Sequence, residues 1–136
     1  MRRLIAVALL VGVTAGCSSG STSSGGTSEP AVCSSTDALQ ASVADLRNVQ
    51  VTQNGIAALQ DSVAAVRSNL QQVTHVAKSQ YSTQVDQLQA GFDQLQAAAG
   101  AAQRAPSADT LTAVTASIRT LGDDVRGFAD DVASTC

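Results

Sequence analysis

One run of apolar residues limits this chain more than any other feature. Ile56, Leu59, Val63, Val66, Leu70, Val73 and Ala77 alternate spacings of three and four without a break. That period marks one face of an α-helix, whereas a strand presents alternate residues. Two later runs repeat it: Tyr81, Val85, Leu88, Phe92, Leu95, Ala99, Ala102, and then Leu111, Val114, Ile118, Leu121, Val125, Phe128, Val132. A shorter run, Leu39, Val43 and Leu46, comes first. Three long seams and one short one predict an all-α fold. The expected form is an up-and-down antiparallel four-helix bundle with a short first helix and coiled-coil-like packing.

The boundaries follow from capping and turn residues. The first helix is expected over about residues 35–48, capped by Ser34 or Ser35, with Asp37 where the helix dipole favours an acid. Asn48-Val49-Gln50-Val51-Thr52 is β-branched and alternating, which predicts an extended connection. The second helix is expected over about 53–78, with Thr52 as cap and Val51 and Ile56 as staple. The first seam projects onto Gln50, Gln53 and Ala57, one residue out of phase with Ile56, so the two helices are separate. Gly55 weakens the helix at the same place.

Ser79, Ser82 and Thr83 favour a turn before a third helix over about 82–104. The competing reading is one continuous helix whose seam stutters from Ala77 through Tyr81 to Val85. Ala105-Pro106-Ser107 ends the third helix and opens the fourth, over about 107–134, with Ser107 as cap and Asp109 in the first turn.

Lengths do not match. A first helix of about 13 residues rises ~20 Å, and a second of about 25 residues rises ~37 Å. The missing ~17 Å is what about five extended residues cover. Val49 and Val51 are therefore expected to lie along the bundle as a strap over a groove that a longer helix would have filled.

Cysteine placement bears on the helix count. Of three cysteines, Cys33 and Cys136 frame the helical region. A bridge needs Cα atoms within about 7 Å. Only an even number of up-and-down helices brings the two ends to one side. The expected pair and the count of four support each other.

The amino terminus has another character. Arg2 and Arg3 precede an apolar run from Leu4 to Val13, then Thr14-Ala15-Gly16-Cys17. The run is too short to cross a bilayer, which needs about 20 residues, and reads as an export signal. Its end resembles the lipobox of bacterial lipoproteins, in which the cysteine is lipidated, although Thr14 stands where Leu is commoner. The resemblance implies a signal peptide over 1–16, acylation of Cys17 and attachment to the cell membrane on its extracytoplasmic face. Residues 17–32 carry Cys17 and a Ser, Thr and Gly tract expected to be a disordered tether, spanning roughly 20 Å on average. The helical bundle is expected over 33–136. Gly16-Cys17-Ser18-Ser19-Gly20 fits the G-x-S-x-G pattern, but a signal peptide is expected before it and a disordered tether after it instead of the strand and helix that motif needs, so it carries no hydrolase reading.

Composition removes several function classes. Without Arg2 and Arg3, six of eight basic residues remain against eleven acidic ones, taking the formal charge from −3 to about −5. No nucleic-acid footprint is expected. The sole glutamate, Glu29, lies in the tether, which excludes a di-iron carboxylate bundle. His75 stands alone on an outward face, and no cysteine spacing suits zinc. Asp123, Asp124, Asp130 and Asp131 lie off the seam and read as a solvated face rather than a calcium cage. No catalytic residue, metal ligand or cofactor is expected. Glutamine dominates the outer faces, a polar but sparsely charged surface that suits sugar or lipid better than nucleic acid. Gly91, Gly100, Gly122 and Gly127 inside helices signal either close helix approach or room for a ligand.

The whole chain resembles small exported helical lipoproteins of high-G+C Gram-positive (actinobacterial) bacteria. The residues that carry the resemblance are Thr14 to Cys17, Cys33-Ser34, Asn48-Val49-Gln50-Val51, Ala58-Leu59 and Ser134-Thr135-Cys136. It implies location and fold and brings no activity with it. A non-catalytic envelope module that binds a protein, or serves as a spacer, is the first expectation. A carrier of a small apolar ligand or lipid in the bundle core is the alternative. Val49, Val51, Phe92 and Phe128 are the candidate groove residues. A cavity lined by Phe92 or Phe128 would favour the carrier, and exposed apolar residues around Val49 and Val51 would favour the binding module.

Overall fold

A computed structural model describes residues 30–49 and 51–136, with backbone alone for 51–54. The expected signal peptide, Cys17 and the tether up to Glu29 lie outside the described residues. Four α-helices and no strand occur among those described: α1 (Ala31–Asn48), α2 (Val51–Ala77), α3 (Ser82–Arg104) and α4 (Ala108–Val132). Each helix packs on two neighbours, in the ring order α1, α2, α3, α4 and back to α1. The result is an up-and-down bundle whose foot holds the start of α1 and the end of α4.

The seams point inward. Leu59, Val66, Val73, Val85, Leu88, Leu95, Val114, Leu121, Val125 and Phe128 are all buried in one cluster. Ile56, Tyr81, Leu111 and Ile118, at the seam ends and on the upper half of α4, pack against it while partly exposed.

α1 starts earlier than expected. It opens after Pro30, at Ala31, and neither Ser34 nor Ser35 caps it. Its seam runs back through Thr36 to Val32, both buried, with Cys33 beside them. A polar residue at Thr36 hides this periodicity in the sequence. The Thr36 hydroxyl donates to the Val32 carbonyl at 2.7 Å, so it enters the core already satisfied. Ser42 does the same to the Leu39 carbonyl at 2.9 Å. No buried side-chain polar atom among the described residues lacks a partner.

The strap expectation is overturned. Val49 is extended (φ −67°, ψ 115°), but Val51 is already helical. A turn of helix runs to Gly55, which breaks it at φ 75° and ψ 177°. That conformation is essentially restricted to glycine. The long seam helix therefore begins at residue 56, later than the expected start near 53. The physical reason is length. With 18 residues α1 rises ~27 Å, which leaves a gap of only ~10 Å against α4, less than five extended residues would cover. Gly55 makes the change of direction.

The turn between α2 and α3 is present. Tyr81 and Gln80 both donate backbone N–H groups to the Ala77 carbonyl, at 2.8 and 3.0 Å. Tyr81 stands at the cap position, with no side-chain bond to the first turn, so Ser79, Ser82 and Thr83 do not cap α3. Ser107 does cap α4. Its hydroxyl accepts from the Thr110 N–H at 3.2 Å, and the Ser107 N–H donates to Thr110 Oγ1 at 2.9 Å. Thr110 takes the place that Glu or Gln holds in the usual capping box.

Candidate binding groove

The foot of the bundle is closed covalently. Cys33 and Cys136 form a disulfide across 103 residues, with Cα atoms 5.8 Å apart. Cys33 is buried and Cys136 exposed. Tyr81 lies edge-on to Phe128, with ring centroids 5.8 Å apart, and its hydroxyl is 2.6 Å from that of Thr135. These contacts tie the starts of α1 and α3 to the end of α4.

The other end is less complete. α4 has 25 residues against 18 in α1, a difference of ~10 Å in rise. Because both are anchored at the foot, the shortfall appears at the top of the α1/α4 seam. A groove of about 510 Å³ opens there, with Leu46, Val49, Leu111, Val114 and Ile118 as its apolar lining. Thr115, Arg47 and Arg119 complete it. Leu46 and Val114 are buried, while Val49, Leu111 and Ile118 are partly exposed.

The two arginines differ in their partners. Arg47 reaches Asp123 at 3.8 Å, and Asp123 also meets Arg126 at 3.3 Å. The Arg47 guanidinium lies on Gly122, where a Cβ would sit 2.7 Å from its Cζ. Arg119 makes no ion pair among the described residues. Gly91 is the other close approach, its Cβ position being 3.0 Å from an Asp124 carboxylate oxygen. Gly127 faces open space and Gly100 has only the Arg104 side chain of its own helix nearby, at 3.9 Å, so they neither bring helices together nor line this groove.

A second groove, of about 680 Å³, follows the α2/α3 seam and is more polar. Arg67 covers the Phe92 ring at 5.8 Å from its centroid, and the Gln96 amide lies against the same guanidinium. Gln89 donates to Thr74 Oγ1 at 3.3 Å across the seam. His75 and Asp93 stand at its edge.

The candidate residues from sequence do not share one site. Val49 lines the α1/α4 groove, and the Val51 side chain lies outside the description. Phe92 sits under Arg67 in the other groove, 5% exposed, and Phe128 is 2% exposed in the core. Arg47, Arg119, Leu111 and Ile118 line the α1/α4 groove without being among the candidate residues from sequence. A signal existed: the cysteine pair sets α1 beside α4, and the shorter helix must leave part of the longer seam uncovered.

The acidic residues of α4 do not converge. Asp123 faces two arginines, Asp131 accepts from Gln84 Nε2 at 3.2 Å, and no group of three or more His, Cys, Asp or Glu among the described residues is placed to hold a metal. Partial burial, and then the neighbouring Asp123 charge, raise the Asp124 carboxyl above its usual 3.8. No described helix is long and apolar enough to cross a membrane. Comparison with protein-family models, with curated proteins and with solved structures finds no match for this chain.

Proposed function

We propose that the protein is a non-catalytic binding module, anchored by lipid at Cys17 to the extracytoplasmic face of the cell membrane. The observation that carries the binding reading is the uncovered apolar seam at the top of α1 and α4. Val49, Leu111 and Ile118 are apolar side chains left partly exposed beside an otherwise buried core. Covering such a surface removes apolar area from water, which is favourable. The anchoring reading rests on the lipobox-like residues 14–17, and two acyl chains at Cys17 would hold the protein stably where one is marginal.

The test is native mass spectrometry of the protein purified from its own envelope. The expected spectrum shows acyl mass on Cys17, the two-hydrogen loss of the Cys33–Cys136 bridge, and a bound component. Thr115→Trp fills the groove from an exposed helical position and is expected to remove that component. An unmodified Cys17 overturns the anchoring. A protein free of any component, or one whose component survives T115W, overturns the binding site.

A further inference from the structure

We infer that the α1/α4 groove takes a single-chain anionic amphiphile, its tail on the apolar upper end and its head at Arg119. This rests on the reading of that groove as the binding site. The groove has a direction. Val49 and Leu111 lie at the top, where α1 ends and α4 begins. Arg119 lies about 12 Å further down α4 than Leu111, on the helix rise alone. Arg47 extends the same way, since its guanidinium rests on Gly122 and Asp123. Apolar surface therefore gives way to cationic surface along one groove, and no Asp or Glu is among the residues that line it. Asp123, just outside the lining, faces Arg47, so the uncompensated positive charge of the groove is that of Arg119, which favours an anion. Arg47 is already paired, so Arg119 is the donor left for a head group, and a guanidinium meets a carboxylate through two parallel hydrogen bonds. A volume of about 510 Å³ falls within the range of small-ligand sites.

The probe is dodecanoate, below its micelle-forming concentration, added to the full chain carrying Cys17→Ser so that no acyl anchor competes. Methyl resonances report the position of binding. Dodecanoate is expected to shift Leu111, Val114 and Ile118. Arg119→Gln is expected to weaken binding at least about tenfold, as is replacing the acid by dodecan-1-ol, because each removes a charge-assisted hydrogen bond. Arg67→Gln, on the α2/α3 seam, is expected to change nothing. Equal affinity for the alcohol, an R119Q protein that binds as tightly, or shifts centred on Phe92 overturn the inference. So does a protein that ignores dodecanoate yet sediments with anionic phospholipid vesicles, which would report a membrane surface instead. If dodecanoate fails while the native protein still carries a component lost in T115W, the amphiphile falls and the binding-site reading stands.

Discussion

At the scale of single residues, glycine positions separate backbone conformation from space. Gly55 and Gly127 both have nothing within 4 Å of where a Cβ would be. Only Gly55 has positive φ, at 75°. Gly55→Ala is expected to destabilise the fold by about 1–3 kcal/mol through strain alone. Gly127→Ala, inside a regular helix, is expected to stabilise it by about 0.5–1 kcal/mol. Urea unfolding of the two variants measures both signs. Asp124 offers a pH test. Its raised folded-state pKa means that the native state holds the proton more tightly than the unfolded chain does. That contribution is present below the ordinary carboxyl range and fades as pH rises through the raised value. Asp124→Asn is therefore expected to raise Tm modestly at about pH 7 and to have no such advantage at about pH 3. Neither result was legible beforehand. Gly55 reads in sequence as a weak helix former, and burial of one aspartate among four is a property of packing.

At the scale of elements, most of the fold was open to sequence reasoning because three helices carry uninterrupted seams. The exceptions have physical causes. α1 extends back to Ala31 because Thr36 satisfies its own hydroxyl and so serves as a core residue. Val49 and Val51 suggested a strap through β-propensity, yet Val51 begins a helical turn, an instance of context overriding a weak preference. The cap at Ser107 was recognisable, although its partner Thr110 was not, since threonine is a less usual reciprocal partner. Ser107→Ala removes the hydroxyl that accepts the Thr110 N–H and is expected to cost about 1 kcal/mol, read as a lower urea midpoint at unchanged slope.

At the scale of the whole molecule, a clasp at one end and a length mismatch at the other belong together. The Cys33–Cys136 bridge aligns α1 and α4 at the foot, which puts the whole shortfall of α1 at the top. In the chain-entropy model a loop of this size stabilises by about 4–5 kcal/mol. Replacing both cysteines by serine is expected to lower Tm by about 15–30 °C while leaving the helical circular dichroism at low temperature intact. The core is built mainly from Val, Leu and Ala, with aromatic residues only 2% of the chain, so the covalent contribution is a large share of what a domain this small has. The paired cysteines and the unequal helices were visible in the sequence. A groove beside the short helix, with Val49 on it, was visible too; its full lining was not, because Arg47, Arg119 and Ile118 come together only when α1 is laid against α4.

The central claim is that the uncovered α1/α4 seam is where this protein meets its ligand or partner. A photo-reactive side chain at Thr115, in the protein expressed in its own envelope, tests it most directly when compared with the same group at Gln72, an exposed position on α2. The account predicts an adduct from Thr115 and none from Gln72. Equal labelling at both positions, or no adduct from Thr115, would contradict it.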